Sequence, residues 1–271
     1  MNAKARYGET IVKVALTLAY GVPLLWIVLT SLKEPRAIFD PGSTFLFTPT
    51  LAAYGDALDA SLFASLGQSL LIASGTMVLT LAVAIPAAYG LARVRGWIVG
   101  LLLGGLIVLQ MLPQTALLIP LFQLFGSWHL LDSLFGLIIA DSALLAPFAM
   151  ILLRPFFRTV PMALEEAAAI DGSGMFRIFF SVALPIARNG IATTGTIVFL
   201  LAWGEFLYAI NFILTPGAYP MSALLAQQIS GFGIDWSGLM ALALLTAIPI
   251  LVVYSLSYRL LRDGLTVGAV K

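Results

Sequence analysis

Two carboxylates lie deep in otherwise uncharged apolar sequence: Asp141 within 134–153 and Glu205 within 191–213. A charge at the centre of a bilayer costs at least ~2.5–3.5 kcal/mol, so each must face a cavity, meet a partner or carry a proton. Glu205 stands in Trp203-Gly204-Glu205-Phe206-Leu207-Tyr208, with Asn211 following. On one continuous helix, Glu205, Tyr208 and Asn211 form a stripe with Trp203 nearby. Carboxylate, phenol and amide groups beside an indole face suit a hydroxylated ligand. The alternative is that Glu205 bonds another helix while the aromatics sit at the membrane interface. Gln110 and Gln114, ahead of Pro120, either line the same path or bond across helices.

A second chemically distinct stretch runs from Pro161 to Pro185 and includes Glu165-Glu166-Ala167-Ala168-Ala169-Ile170-Asp171-Gly172. Charge, small residues and glycine interrupt the apolar sequence here. Pro161 suits the first turn of a helix, and Gly172 suits a left-handed stop. A helix over 161–171 would be about 16 Å long, enough to lie in a cleft on a partner but too short to cross a bilayer. Leu164, Ala167, Ala168 and Ile170 fall close to one face, while Glu165, Glu166 and Asp171 point elsewhere. The alanines permit close approach, and the carboxylates can meet basic groups on whatever docks.

Catalysis finds little support. The chain has one histidine, His129, placed in a short outer loop, and no cysteine. It lacks Gly-Lys-Ser/Thr after a glycine-rich loop, His-Glu-x-x-His and Gly-x-Ser-x-Gly. No catalytic residue and no metal site is expected.

The elements that must position these groups follow from composition. With 61% hydrophobic and 10% charged residues in 271, and a mean hydropathy of +1.02, the chain is a polytopic membrane protein. Runs at 11–29, 69–91, 97–125, 134–153, 191–213 and 239–260 can each supply the ~20 residues a span needs. The expected fold is all-α, one domain over 1–271, with about six transmembrane helices and a short cytoplasmic helix between helices 4 and 5. Twelve of the fourteen Lys and Arg residues fall on one side if the N-terminus is inside, leaving Lys33 and Arg36 outside. That asymmetry puts both termini and the 161–185 stretch in the cytoplasm. Leu62, Phe63 and Leu66 suggest a short interfacial helix in the long outer segment 33–68, and 212–238 reads as a second outer loop. Pro23, Pro86, Pro113, Pro120, Pro147 and Pro249 are expected to kink their spans. Gly100-x-x-x-Gly104 offers a close-packing surface.

The spacing Glu166-Ala167-Ala168, three residues, Gly172, nine residues, then Val182-x-Leu184-Pro185 resembles the EAA signature of permease subunits in bacterial ABC importers. Val182 stands where that signature usually has Ile. Similarity to the carbohydrate branch extends to Met111-Leu112-Pro113, to 118–122, to Leu130-Leu131-Asp132-Ser133, to Arg154-Pro155-Phe156-Phe157-Arg158, to 203–207 and to the ending 264–271. Gly204 and Asn189 stand where that branch often has Asn and Pro. The resemblance implies one of two homologous permease subunits in the bacterial inner membrane. Two cytoplasmic ATPase subunits that bind ATP and Mg, and an extracytoplasmic solute-binding protein, complete the importer. No nucleic-acid partner and no cofactor in this chain are expected. Glu165, Glu166, Ala167, Ala168, Asp171 and Gly172 would couple to the ATPases, and the basic C-terminal tail would contact them too. Substrate classes implied are a sugar or oligosaccharide, or a related polyol or glycerol phosphate ester. An ion-coupled secondary transporter using Asp141 and Glu205, or a membrane scaffold, are the competing readings.

Overall fold

In a computed structural model, residues 3–215, 217–230 and 233–267 are described. The chain is helical almost throughout: α1 Ala3–Ser31, α2 Ala52–Ala57, α3 Ala60–Arg93, α4 Trp97–Met111, α5 Gln114–Ser127, α6 Leu134–Arg158, α7 Met162–Ile170 and α8 Met175–Ile178. After a π-helical turn at Phe179–Ala183 come α9 Leu184–Trp203, α10 Leu207–Phe212, α11 Met221–Gln227 and α12 Trp236–Val267. The all-α expectation holds apart from one two-stranded antiparallel hairpin, β1 Ile229–Ser230 with β2 Gly233–Ile234.

Among the described residues, five helices are long and apolar enough to cross a membrane: Glu9–Ser31, Ser61–Arg93, Leu134–Arg158, Met175–Trp203 and Trp236–Tyr258. The pair α4 and α5 adds a sixth if counted as one broken span. The expected straight span over 97–125 is therefore corrected: α4 and α5 meet at 90°. Leu112 is extended at φ −67°, ψ 125°, as the residue before a proline prefers, and Pro113 then stands ahead of α5. The span expected over 191–213 is corrected at both ends. The helical path begins at Met175 and stops at Trp203. The π-turn ends two residues before Pro185, where a regular helix would lose a hydrogen bond and crowd a carbonyl. Leu62, Phe63 and Leu66 belong to the first turns of α3, so the separate interfacial helix is absent.

The chain clusters into two compact units, Met1–Ala64 with Leu224–Ile248, and Ser65–Ala223 with Pro249–Lys271. In the first, α1 exposes Leu16, Leu18, Val22 and Leu25, as a lipid-facing helix must. Where α1 ends, the Lys33 ammonium is buried. It donates to the Thr44 carbonyl at 2.9 Å and lies 5.4 Å from the Trp26 ring centre and 5.0 Å from that of Phe47. Aromatic faces thus share a charge that burial would otherwise penalise.

The second unit holds two cores. One joins Ile72, Phe125, Leu137, Tyr208 and Phe212. The other is built on small residues, with Ala84, Ala88, Ala149, Ala183 and Ala187 closing around Leu153, Phe157 and Val198. Small side chains let α3, α6 and α9 approach closely. Gly190 carries this furthest, since a Cβ there would lie 2.2 Å from the Phe156 ring. Gly190→Leu is accordingly expected to cost more than the usual ~1–3 kcal/mol of overpacking, because an aromatic ring rather than a flexible chain end must move. Thermal denaturation of the purified protein checks this, and an unchanged midpoint would mean that α6 and α9 slide apart freely. By contrast, nothing among the described residues lies within 4 Å of a Cβ built on Gly100 or Gly104, so no close approach requires glycine at that pair.

Candidate functional site

The short helix α7 follows from its ends. Pro161 is its N-cap, extended at φ −63°, ψ 129°, rather than a first-turn residue. At the other end Gly172 has φ +83°, the left-handed region that favours glycine. Its N–H donates to the Ala169 carbonyl at 3.0 Å and that of Ser173 to Ala168 at 2.9 Å, the paired bonds of a Schellman stop. Asp171 is the C-cap, so the expected stop lies where the glycine placed it.

The two glutamates of α7 have opposite environments. Glu166 is exposed, as are Ala167, Asp171 and Gly172, while Ala168 is half-buried. Glu165 faces inward, with a side chain only 12% exposed. Its carboxylate accepts from Arg93 Nε at 2.9 Å, from a terminal nitrogen of the same guanidinium and from the Tyr89 hydroxyl at 3.1 Å. Arg93 also donates to the Phe157 carbonyl at 2.9 Å and the Val160 carbonyl at 3.4 Å. One guanidinium thus ties the end of α3 to the end of α6 and to α7. Sequence spacing missed Arg93, since its partner is 72 residues away. Around this anchor α7 and α8 present Ile170, Met175 and Phe176, which are 87%, 71% and 75% exposed. α7 is held on one side and exposes Glu166 and Ile170 on the other.

The acidic residues of the spans meet elsewhere in the same unit. A cavity of about 370 Å³ is lined by Gln114, Asp141, Leu144, Leu145, Leu201 and 204–207. Asp141 is buried, and among the described residues neither of its oxygens has a hydrogen-bond partner. Glu205 sits in the break between α9 and α10, where its carboxylate accepts from the N–H groups of Tyr208 at 2.9 Å and Ala209 at 3.0 Å. It caps the orphan donors of a helix start. The helical stripe expected from Glu205 to Asn211 is thereby corrected. Tyr208 is in the core, stacked on Phe212 at 5.3 Å, and the Asn211 amide donates to the Leu207 carbonyl at 2.6 Å. Trp203 is buried against Phe199, with ring centres 5.9 Å apart. The Gln110 amide donates to the Leu144 carbonyl at 2.9 Å. The cavity brings together Gln114, Asp141 and Glu205, and the other four candidates line no part of it.

A further polar tie was visible in sequence only as part of Leu130-Leu131-Asp132-Ser133. Asp132 accepts from the N–H groups of Leu214 and Thr215, both at 2.9 Å, and from the Thr215 hydroxyl, while its own N–H donates to the Phe212 carbonyl at 2.7 Å. These donors hold its carboxyl below the usual carboxylate range, the Thr215 hydroxyl first. The bonds fix the end of α10 to the turn before α6. His129 is exposed, as expected. The C-terminal residues 268–271, expected to contact partners, lie outside the described residues.

Residues 81–267 match the family described as binding-protein-dependent transport system inner membrane component. The chain is 32% identical to the trehalose transport system permease protein SugB of Mycobacterium tuberculosis, covering 92% of each chain. It is also 32% identical to the sulfoquinovosyl glycerol transport system permease protein SmoH of Agrobacterium fabrum, covering 92% of this chain and 88% of that one. Among solved structures, the backbone resembles a chain of a bacterial ABC transporter involved in the import of the acidic polysaccharide alginate, with a TM-score of 0.78 and 22% identity, over 96% of this chain and 98% of that one.

Proposed function

Because the chain belongs to the family of binding-protein-dependent transport system inner membrane components, we propose that it moves a sugar or oligosaccharide through the cytoplasmic membrane as one of two homologous permease subunits. The permease role is that of the family, and the sugar is suggested by relatives named for trehalose and for sulfoquinovosyl glycerol. ATP and Mg belong to two cytoplasmic ATPases, and a solute-binding protein delivers the sugar from outside. A polyol or glycerol phosphate ester is the nearest alternative cargo.

The observation that carries the coupling mechanism is α7, anchored through Glu165 and Arg93 on one side and exposed at Glu166, Ala167, Ile170 and Gly172 on the other. A short helix held rigidly to two spans moves them when a partner moves it. Closure of the ATPases on ATP then tilts α3 and α6, opens the path outward, and resets after hydrolysis, shifting the population between two states. Both termini and α7 face the cytoplasm in this scheme. Asp141, Glu205 and Gln114 line the solute path, the two carboxylates and the Gln114 amide oxygen accepting from sugar hydroxyls.

Glu166→Lys and Gly172→Pro are expected to abolish ATP-driven uptake while the protein still inserts. The first reverses an exposed charge that folding does not use, and the second forces φ away from +83°. Co-purification of the ATPases should fall with uptake. Wild-type uptake by both variants would remove α7 from the mechanism. The decisive assay is uptake of radiolabelled sugars into proteoliposomes holding the complete importer. A requirement for ATP and binding protein supports the importer, whereas uptake on an ion gradient without ATP transfers the mechanism to Asp141 and Glu205.

A further inference from the structure

A cavity of about 470 Å³ opens where the end of α3, the turn 94–96, the start of α4, the end of α6 and the approach to α7 meet. Its wall carries Arg93, Arg95, Arg154 and Arg158 and no acidic residue. Arg93 is already paired with Glu165. Arg154 is oriented by its Nε, which donates to the Leu91 carbonyl at 3.0 Å, and this leaves its terminal nitrogens for another acceptor. Arg95 and Arg158 are exposed and make no ion pair among the described residues. Gly96, the N-cap of α4, supplies no side-chain acceptor for the first N–H groups of that helix, and it lines the same space. Three uncompensated guanidinium forks beside an uncapped helix start have the chemistry of a phosphate site.

The helix that forms one wall says where the phosphate comes from. Trp97, Ile98, Leu101 and Leu102 of α4 are 77%, 52%, 64% and 51% exposed, while Val99, Gly100 and Leu103 of the same helix line the cavity. Trp at the start of an apolar helix sits at headgroup level, which puts the cavity beside that helix start at the depth of the headgroup layer. We propose that it binds the phosphate of an anionic phospholipid headgroup, with Arg95, Arg154 and Arg158 as its ligands. Val160, Pro161 and Met162 complete the wall, so the bound lipid braces the start of α7. The site is independent of which solute is carried, and basic pockets between spans on the cytoplasmic side are a physical setting in which such headgroups bind.

The test uses the complete transporter, equilibrated in nanodiscs of equimolar phosphatidylglycerol and phosphatidylcholine. It is then re-extracted, and the lipid retained by each complex is measured by native mass spectrometry. Phosphatidylglycerol should be retained selectively, and Arg95→Gln with Arg158→Gln should lower its retention about thirtyfold, given attraction of about 1 kcal/mol for each of the two basic residues near an anionic surface. A Lys pair at the same positions should keep most of it. Equal retention of the two lipids, or wild-type retention by the Gln pair at an unchanged melting temperature, overturns the proposal. Displacement of the lipid by millimolar inorganic phosphate or glycerol phosphate would assign the site to a soluble anion. If the Gln pair releases the ATPases with lipid retention intact, the arginines belong to a protein interface. Retention is read without any uptake assay, so its failure is separable from failure of the importer reading.

Discussion

Arg93→Ala is expected to uncouple the transporter: ATP-driven uptake falls at least tenfold while the ATPases still hydrolyse ATP. The guanidinium is 16% exposed and serves the Glu165 carboxylate, the Tyr89 neighbourhood, the Phe157 carbonyl of α6 and the Val160 carbonyl just beyond it. Removing it strands a carboxylate that is 12% exposed. Breaking one side of a pair this buried costs about 3 kcal/mol, far more than a surface ion pair. Arg93→Lys should rescue little, because one ammonium cannot bond Glu165 along a planar fork and still reach the Phe157 carbonyl. Glu165→Ala should resemble Arg93→Ala in uptake. The double variant should be more stable than the sum of the two losses predicts, since the stranded charge has gone. Thermal denaturation with parallel uptake and ATPase assays in proteoliposomes measures each part. If Arg93→Ala matches wild type in stability and uptake, α7 is not steered through α3.

The contrast between the two glutamates shows where sequence reasoning stops. Glu165 and Glu166 are adjacent, and periodicity puts both away from the apolar face of α7. The distinction between an internal anchor and a free docking group depends on Arg93, and no local pattern links positions 93 and 165. The stop at Gly172 was legible because a left-handed glycine after a helical run is a local rule. The spans were legible because hydropathy is additive along the chain. The break after Trp203 was not, because the sequence stays apolar on both sides of it and Gly204 is tolerated within spans. Only the N–H groups of Tyr208 and Ala209, turned towards the Glu205 carboxylate, reveal a second helix start. Pro113 announced a bend, but its size of 90° depends on how α4 and α5 pack and not on proline alone.

Asp141→Leu is expected to move stability and transport in opposite directions. The side chain is 1% exposed, with both carboxylate oxygens unpartnered, beside a cavity of about 370 Å³ that can take the larger leucine. Removing a buried polar group that bonds nothing recovers its desolvation penalty, about 1–3 kcal/mol, so the melting temperature should rise. A residue with that cost is retained where function uses it. If sugar hydroxyls donate to Asp141 during passage, losing a charged acceptor worth about 1.5–3 kcal/mol should lower uptake roughly 10- to 100-fold. Asp141→Asn separates the contributions, since it keeps shape and an acceptor oxygen but loses charge. Uptake near wild type in Asp141→Asn together with loss in Asp141→Leu marks a hydrogen-bonding contact. Loss in both variants, with uptake in the parent that follows an imposed ion gradient, marks a proton or cation site and favours the ion-coupled reading. A more stable Asp141→Leu with undiminished uptake would take Asp141 off the solute path, leaving Glu205 and Gln114 as the polar groups of the cavity.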